Sequence, residues 1–510
     1  MATRPISRAA RWRIATLVLV HLLIAAHIVH WKLAGTSLSS IQLSNAGRFV
    51  AEGVATAALF LFAFLLLATL VFGRFFCAWG CHMLALQEVC RFLLGKIGVR
   101  PKLRRSRLLM IVPVYAAFYI YLQPLFERAW LGRAFPSPTL QLTSRHLWAA
   151  LPGPIEGVAL VLIGGLLMVY TLGALSFCKY VCPYGALFAL ADTAALGRIR
   201  LIGECDGCAR CTAACTTGVR VHEHVQRLSM VADSGCMRCL ECVSACPRRV
   251  LAYRFGRPAL TAGSRAGLSR YAFAWREEAG MFTVFAVSLF AFHGLYNAIP
   301  LLVSLAASVV IAYVSILTVR LVQQQRVALR GITLKRAGRL SKGGVVFVAC
   351  AAAVFLVVGH SLFIQYHQRR AAAVLHALGF PRQQSAYSVA QRRLLHTAAA
   401  HLSACSRYGL ADIADWNMGL AWTYRALGNP QLVERYLRRA IALDPTQPVA
   451  HFNLGKQLAR QGRRGEAARA FAQAVRLAPS LASFVPADYA AVQESRAQKL
   501  PQHANAFPKP

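Results

Sequence analysis

The sequence predicts a mainly α-helical protein that crosses a membrane several times and ends in a domain of helical repeats. The chain of 510 residues is 57% hydrophobic, yet it carries a formal charge of +38. Apolar membrane spans flanked by basic loops reconcile these two values. Because such loops bind anionic lipid headgroups, the charge alone does not indicate nucleic-acid binding. We therefore expect the lipid bilayer as a partner and no nucleic acid.

Seven apolar stretches have the length of a membrane-spanning helix, about 20 residues. They cover residues 14–33, 50–72, 108–125, 155–177, 281–299, 301–321 and 345–363. The two stretches that meet at Pro300 could instead form a re-entrant hairpin, so six to eight spans fit the sequence. The first stretch is long enough to span and shows no small-residue cleavage site after it, which predicts an uncleaved anchor.

Lysine and arginine are concentrated in three segments beside these stretches, residues 4–13, 91–107 and 326–342. Basic loops stay on the cytoplasmic side, and simple alternation of seven spans places all three segments there. The sequence thus predicts a multi-pass protein of the bacterial inner (cytoplasmic) membrane. The segment between the fourth and fifth spans is expected in the cytoplasm, and the chain after residue 363 in the periplasm.

A repeat of 34 residues runs through the C-terminal part of the chain. The paired positions are Leu420 and Leu454, Tyr424 and Leu458, Gly428 and Gly462, Ala440 and Ala474, and Pro445 and Pro479. Small or apolar residues at these positions let two helices pack as an antiparallel pair, which is the pattern of a tetratricopeptide array. Since three repeats are usually needed, we expect residues 371–408 to supply a degenerate helical pair.

Eight cysteines form two runs with the spacing C-x2-C-x2-C-x3-C, the signature of a ferredoxin with two [4Fe-4S] clusters. The fourth cysteine of each run binds the other cluster in such proteins. We assign Cys205, Cys208, Cys211 and Cys246 to the first cluster, and Cys236, Cys239, Cys242 and Cys215 to the second. Structural zinc sites are the alternative, but these normally use two C-x-x-C knuckles.

Four further cysteines form two C-x3-C elements, each directly after an apolar stretch. They are Cys77 and Cys81 in the first element, and Cys178 and Cys182 in the second. The elements are related by an offset of 101 that also pairs Phe76 with Phe177. If the two halves pack about a pseudo-twofold axis, the four thiols converge and could hold an additional iron-sulfur or other metal centre. The alternative is packing of small apolar thiols at a helix junction.

Two weaker signals accompany the cysteines. Histidines in or beside the spans could ligate haem b, but no paired spacing is evident, and haem b is not the expected cofactor. These histidines are His21, His27, His30, His293 and His360. Arginines in the cysteine-rich segment could dock an acidic electron donor or lie against lipid headgroups. They are Arg210, Arg220, Arg227, Arg238, Arg248 and Arg249.

The motifs FCAWGC with ALQE, SFCKYVCPYGAL and the two cysteine runs resemble the NapH/NosR-like membrane polyferredoxins. The resemblance covers roughly residues 10–255. It implies an electron carrier that couples the quinone pool or a cytoplasmic donor to respiratory or maturation partners, and it makes the four C-x3-C cysteines the family's paired positions. The additional spans and the C-terminal tetratricopeptide extension depart from this family, so the resemblance does not identify the partner.

Together these observations predict a polytopic helical membrane protein with an inserted two-cluster ferredoxin-like domain and a C-terminal TPR-like α-solenoid. The expected domains are 1–176 (four spans), 177–270 (second C-x3-C element and ferredoxin domain), 271–368 (about three spans) and 369–510 (repeats). The expected function is electron transfer between the quinone pool or a cytoplasmic donor and a respiratory or periplasmic partner, as a possible quinol dehydrogenase subunit. The alternative is a maturation or regulatory factor for a metalloenzyme.

Overall fold

The computed structural model describes residues 7–39, 42–99, 101–144, 153–263, 271–379 and 387–489, and most of them are helical. The chain divides into two compact units. The first contains Met1–Gly294 and Ile299–Phe355, and the second contains Leu295–Ala298 and Leu356–Pro510.

The helices before the division fall into short and long elements. They are α1 (Arg8–Ala34), α2 (Gly47–Glu52), α3 (Ala57–Phe72), α4 (Phe75–Trp79), α5 (His82–Lys96), α6 (Val112–Tyr121), α7 (Gln123–Trp130), α8 (Pro154–Ala159), α9 (Met168–Thr171), α10 (Ser176–Tyr180), α11 (Pro183–Ala194), α12 (Arg210–Ala214), α13 (Val221–Leu228), α14 (Glu241–Ser244), α15 (Trp275–Phe292) and α16 (Leu301–Gln323). A π-helical stretch at Leu160–Leu167 joins α8 to α9. The division between the units falls within α17 (Lys342–Ala377).

Three helices are long and apolar enough to cross a membrane: α1, α16 and α17. The pair Leu108–Tyr121 and Gln123–Trp130, bent by 50°, adds a fourth span if it is counted as one. Helix α3 and the helix Ile155–Thr171 are apolar but shorter. By length and composition the described residues therefore contain three or four spanning helices, where the sequence predicted seven.

Helix α15 shows why one predicted span does not qualify. Its first turn contains Arg276, Glu277 and Glu278, three charged residues in an 18-residue helix that begins at Trp275. Glu277 pairs with Arg320 of α16 at 2.6 Å, so this end of the helix is fixed by an ion pair. The apolar sequence after Glu278 is then too short to reach the length of about 20 residues that a span requires.

The core of the first unit is built around α16. Two thirds of its apolar stretch is buried, whereas the apolar stretches of α1 and α17 are largely exposed. Leu305, Val309 and Tyr313 of α16 pack with Met168 and Phe177. Exposed apolar helices are stable in contact with lipid, because they contain no unsatisfied backbone groups.

The strands are short and form four small sheets. They are β1 (Ser37–Leu38), β2 (Val54–Thr56), β3 (Thr139–Gln141), β4 (Thr143–Ser144), β5 (Gly197–Leu201), β6 (Leu251–Phe255), β7 (Val327–Leu329), β8 (Ile332–Arg336) and β9 (Arg339–Leu340). β1 pairs with β4, β5 with β6, and β7 with β8 and β9, all antiparallel, while β2 and β3 are parallel. The β5–β6 pair encloses both ferredoxin-type cysteine runs, with Gly197 opposite Phe255 and Leu201 opposite Leu251.

The second unit contains the 34-residue repeat. Its helices after α17 are α18 (Val389–Tyr408), α19 (Ala414–Ala426), α20 (Pro430–Leu443), α21 (Pro448–Arg460) and α22 (Arg464–Leu477). The turns of the two repeats match: Gly428 has φ 77° and Gly462 has φ 76°, a left-handed conformation that favours glycine. Ala440 and Ala474 are fully buried at equivalent positions, because a small residue lets the paired helices approach closely.

Candidate iron-sulfur sites

The two C-x3-C elements have the same local structure. Cys77 lies in the five-residue helix α4, and Cys81 directly precedes α5. Cys178 lies in the five-residue helix α10, and Cys182 directly precedes α11. The internal repeat expected from the offset of 101 is thus present in the backbone, with one thiol in a short helix and the other at the start of the next.

The structure brings the four C-x3-C thiols together. Cys178 is buried, and Cys81, Cys182 and Cys77 interact with it electrostatically. Burial, followed by these neighbours, raises the pKa of Cys178 well above its ordinary value. Burial likewise raises the pKa of Cys81 to about 11 and that of Cys182 to about 12. Thiols in this environment stay protonated at neutral pH unless a bound metal centre stabilises the thiolates.

The ferredoxin-type runs repeat each other at an offset of 31 residues, from Cys205 to Cys236. Ala209 and Leu240, at equivalent positions, both adopt the left-handed conformation just before α12 and α14. This turn directs the chain around the three closely spaced cysteines of each run. The local structure therefore has the same twofold character as the sequence pattern.

Cys215, the last cysteine of the first run, lies with the second run. Cys215 and Cys236 interact with Cys239, whose pKa burial raises to about 12. Burial, followed by Cys236, Cys239, Cys215 and Cys211, raises the pKa of Cys242. In the first run, Cys205 interacts with Cys211. The crossed assignment of Cys215 to the second cluster stays a prediction.

Both runs lie against one apolar core. Ile199, Val219, Val225, Val231 and Leu251 form its buried part. Its cysteines are Cys205, Cys211, Cys215, Cys236, Cys242 and Cys246. Cys208 is exposed. Apolar surroundings and limited solvent access are the conditions under which a protein sets the potential of an iron-sulfur cluster.

Cys239 connects the two groups of cysteines. It belongs to the second ferredoxin-type run, yet it packs against the apolar cluster that contains Cys77, Cys81 and Cys178. Met237, from the same run, is buried in that cluster with Leu84 and Leu175. Trp79 Nε1 also donates a hydrogen bond to the Arg238 carbonyl oxygen at 3.1 Å.

Within the described residues, no group of three or more His, Cys, Asp or Glu side chains is arranged to hold a single metal ion. A four-iron cluster takes one thiolate at each of its corners, so its ligands stand further apart than those of one ion. The donor set of four thiolates per site is the one that [4Fe-4S] clusters use.

Buried arginines surround these cysteines, and the carboxylate of one aspartate forms ion pairs with two of the arginines. Asp192 of α11 is fully buried and forms ion pairs with Arg238 at 2.7 Å and Arg198 at 3.6 Å. It also accepts a hydrogen bond from the backbone N–H of Arg74 at 3.2 Å. The Arg74 guanidinium reaches Cys77 Sγ at 4.0 Å and donates to the Ser234 carbonyl oxygen at 2.8 Å.

The charges of these buried side chains fit an anionic cluster. Arg74, Arg198 and Arg238 are three buried cations around the single carboxylate of Asp192, and Arg238 lies between Cys236 and Cys239. Buried charge without compensation is costly. A thiolate-ligated iron-sulfur cluster carries net negative charge, so the residues present fit such a group.

A second ion pair joins α1 to the second cysteine run. The buried Arg13 lies 3.4 Å from Glu88 of α5 and 3.8 Å from Glu241 of α14. Ser7, which caps α1 by accepting from the Ala10 N–H, also donates to Glu241 at 3.2 Å. The first apolar helix is therefore attached to the ferredoxin-type segment at its N-terminal end.

A cavity of about 340 Å³ adjoins both groups of cysteines. Cys178 and Gly235, the residue before Cys236, contribute to its wall. Arg105, Lys179 and Asp233 supply polar groups, and Arg105 donates to Asp233 at 2.8 Å. Burial, then Arg105, lowers the pKa of Lys179 to about 8. The apolar wall contains Met110, Pro113, Val114, Ala186, Ala189 and Leu190.

Four of the five histidines in or beside the predicted spans have local hydrogen-bond partners. His21 Nδ1 lies 2.7 Å from the Leu17 carbonyl oxygen, and His293 lies 3.4 Å from the Tyr119 hydroxyl. His27 lies 3.2 Å from the Ser37 hydroxyl. In the second unit, His360 Nε2 lies 2.9 Å from the Tyr408 carbonyl oxygen.

The sequence matches three domain families. The 4Fe-4S dicluster domain matches residues 204–251, a 4Fe-4S binding domain matches residues 54–100 and 155–200, and the tetratricopeptide repeat matches residues 448–481. The second match contains the C-x3-C elements, and its two halves follow the internal repeat. The fold and these sites thus define an iron-sulfur protein of the electron-transfer class with a tetratricopeptide repeat.

Curated relatives agree with this class. The chain is 27% identical over 218 residues to the putative electron transport protein YccM of Escherichia coli, covering 40% of this chain and 57% of that protein. It is 30% identical over 189 residues to NirI of Paracoccus denitrificans, covering 34% and 25% of the two chains. It is 23% identical over 187 residues to the ferredoxin-type protein NapH of Haemophilus influenzae, covering 36% and 62%.

The predicted resemblance to the NapH-type polyferredoxins is therefore confirmed. The aligned part spans little more than half of the YccM protein. No solved structure matches the chain.

The sequence interpretation was wrong about Arg238 and missed Asp192. Arg238 was assigned to the surface of the cysteine-rich segment, but it is 2% exposed and pairs with Asp192. A signal was present in the sequence: Arg74 and Arg238 each lie within three residues of a cysteine. The residues next to Asp192 in the sequence give no such signal. Its partners Arg74 and Arg238 lie 118 and 46 positions away.

Proposed function

We propose that this protein carries electrons between the quinone pool, or a cytoplasmic donor, and a respiratory or periplasmic redox partner, as a quinol-oxidising component. The observation that carries the proposal is the position of Cys239 in the same apolar cluster as Cys77, Cys81 and Cys178. Proposed ligands of two centres that share one apolar cluster would give electrons a short route between the centres.

We assign three groups of ligands to this route. Cys205, Cys208, Cys211 and Cys246 would hold the first [4Fe-4S] cluster, and Cys236, Cys239, Cys242 and Cys215 the second. Cys77, Cys81, Cys178 and Cys182 would hold a third centre. When bound, such centres supply one-electron transfer at potentials set by charge, hydrogen bonding and burial. Arg74 and Arg238 supply the charge, since both are buried beside ligands.

The cavity next to Cys178 supports a quinol as donor. A quinol releases two electrons and two protons when it becomes a quinone, so its site needs apolar walls for the ring and polar groups for its oxygens. The cavity has both, and its Arg105 Nη2 is buried without a hydrogen-bond partner. Arg105 and Lys179 would donate hydrogen bonds to the ring oxygens, and Met110, Val114 and Ala189 would enclose the ring.

The proposed orientation follows from the basic loops. Their charge favours the cytoplasmic side of the inner membrane for the cysteine-rich segment. The repeat unit would then lie in the periplasm and recruit a redox partner or an assembly factor, because helix-pair arrays provide extended binding surfaces.

Anaerobic purification followed by counts of iron and acid-labile sulfide tests the ligand assignment. We expect more than about 8 irons per chain, and a fall to about 8 in the double variant Cys77→Ala/Cys178→Ala. The matched control is Cys90→Ala, which removes a buried cysteine outside every proposed site. A count of about 8 that does not change in the double variant would contradict a third centre.

Sustained oxidation of a quinol by the purified protein distinguishes electron transfer from the alternative role. A maturation or regulatory factor would take electrons only for occasional assembly steps, so it would show reduction of its centres without continuous turnover when an electron acceptor is supplied.

A further inference from the structure

Two histidines of the second unit face each other through the same ring atom. Nδ1 of His367 in α17 lies 2.7 Å from Nδ1 of His401 in α18, and the two ring centroids are 4.8 Å apart. Both side chains are half-buried, and His367 follows the apolar stretch at residues 345–363. Water and small ions can therefore reach the pair.

The backbones that carry the two rings are joined one turn away. The Cys405 thiol donates a hydrogen bond to the Ile364 carbonyl oxygen, with Sγ 3.7 Å from the oxygen. Cys405 lies one turn after His401 and is fully buried, and Ile364 lies one turn before His367 and is also fully buried. Because this contact fixes α17 against α18, rotation of the two side chains alone can change the distance between their nitrogens.

Aromatic rings restrict the orientation of both imidazoles. The Tyr366 ring meets His367 and His401 edge-on, with centroids 5.4 Å and 6.0 Å away. The Phe363 centroid lies 4.5 Å from that of His367. Edge and face contacts of this kind favour a small set of ring arrangements. The pair is thus held in a narrow range of orientations around the observed contact.

A hydrogen bond between two neutral rings is the simpler alternative. One Nδ1–H would donate to the lone pair of the other Nδ1, and this satisfies both atoms. Two imidazolium charges at this separation would repel each other, so at least one ring is uncharged at neutral pH. An uncharged imidazole is also the commonest metal ligand among side chains. The hydrogen-bonded alternative predicts that the pair takes up no metal.

We propose that His367 and His401 bind a Zn²⁺ ion through their Nδ1 atoms. Imidazole nitrogen suits Zn²⁺, with Zn–N bonds of about 2.0–2.1 Å. Tetrahedral geometry places two such nitrogens about 3.3 Å apart, so the contact of 2.7 Å opens by about 0.6 Å. Among the described residues no third His, Cys, Asp or Glu side chain completes the site, and water takes the remaining positions. The site goes beyond the proposed electron transfer, because Zn²⁺ has no redox chemistry.

The test measures zinc binding to the full-length, iron-loaded protein in detergent. Samples are dialysed to equilibrium against a series of ZnCl2 concentrations at about pH 7.5, and zinc and iron per chain are counted by mass spectrometry. We expect the wild type to bind one Zn²⁺ more per chain than His367→Gln/His401→Gln. Each single variant should weaken binding at this site at least about tenfold, because it leaves one protein ligand.

The matched control is His396→Gln, which removes an exposed histidine of the same helix α18 and should change zinc binding less than about twofold. X-ray absorption at the zinc edge should show nitrogen and oxygen neighbours at about 2.0–2.1 Å and no sulfur at about 2.3 Å. ZnCl2 should raise the melting temperature of the wild type but not of the double variant, since a bound ion stabilises the folded state. MgCl2, whose ion prefers oxygen ligands, should not.

Three outcomes would overturn the proposal. They are equal zinc uptake in the wild type and the double variant, a sulfur neighbour of the bound zinc, and equal weakening in the His396→Gln control. Circular dichroism of each variant without zinc separates lost folding from lost binding. Iron counts on the same samples show that zinc has not replaced iron at the cysteines, so the result is independent of the electron-transfer proposal.

Discussion

The carboxylate of Asp192 lies 2.7 Å from the guanidinium of Arg238, and both side chains are almost completely buried. Asp192 belongs to α11, which begins directly after Cys182, and Arg238 lies inside the second ferredoxin-type run. This ion pair therefore joins the C-x3-C site to the ferredoxin-type site. Because Asp192 contacts Arg74 and Arg238, which lie beside Cys77 and Cys236, its removal should change both stability and redox potential.

The variant Asp192→Asn should lower the free energy of unfolding by about 3–5 kcal/mol, because it leaves Arg198 and Arg238 buried without their carboxylate. It should also raise the reduction potentials of the adjacent centres, since a negative charge is lost. Thermal unfolding and a redox titration monitored by electron paramagnetic resonance measure the two effects. Glu52→Gln, in an exposed pair with Arg48, is the control and should change neither quantity.

The variant Arg238→Gln should have the opposite electrostatic effect and lower the potential of the second ferredoxin-type cluster. The guanidinium is buried and donates to the Cys236 carbonyl oxygen at 2.7 Å, so its charge acts at short range. Arg249→Gln removes an exposed charge after the same run and should leave the potential unchanged, because solvent screens it. Equal shifts in both variants would show that burial of Arg238 has no special role.

Filling the cavity should prevent quinol binding without lowering the iron content of the protein. Ala189→Phe places a ring in the apolar wall of the 340 Å³ cavity, and we expect kcat/KM for quinol to fall by at least about tenfold. Ala194→Phe, on the same helix but outside the cavity, serves as the control. Steady-state kinetics with matched iron counts test this, and unchanged quinol kinetics in Ala189→Phe would place the quinol elsewhere.

The ion pair between Glu277 and Arg320 should stabilise α15 against α16 in a pH-dependent manner. Hydrogen bonding from Arg320 is the main reason why the pKa of Glu277 is lowered. A lowered folded-state pKa contributes stability above the unfolded pKa of about 4.3, and this contribution is lost as the pH falls through the folded-state pKa. Melting curves of wild type and Glu277→Gln should therefore differ at pH 7 and converge in acid. Parallel curves would contradict this.

The features that could be predicted from the sequence are those encoded by local spacing. The cysteine runs, the two C-x3-C elements and the 34-residue repeat depend on residues close together in the chain, and the left-handed turns at Gly428 and Gly462 follow directly from that repeat. Hydropathy located each apolar helix. It overestimated the spans, because charges at the start of α15 and the short length of α3 are not visible in the mean hydropathy of a window.

Contacts between distant segments could not be predicted. The Asp192–Arg238 pair and the packing of Cys239 against the apolar cluster of Cys178 join segments that are distant in the sequence. No local sequence pattern predicts these contacts. Arg238 appeared to belong to a basic surface, because composition alone does not distinguish an exposed arginine from one that pairs with a buried acid.

The central claim is that electrons pass between the C-x3-C site and the ferredoxin-type clusters. The most direct test mixes the anaerobic, oxidised protein with quinol and follows the signals of the ferredoxin-type clusters by electron paramagnetic resonance. The account predicts that quinol reduces these clusters in the wild type but not in Cys77→Ala/Cys178→Ala, in which dithionite still reduces them. Equal reduction by quinol in both proteins would contradict it, because the route would then bypass the C-x3-C site.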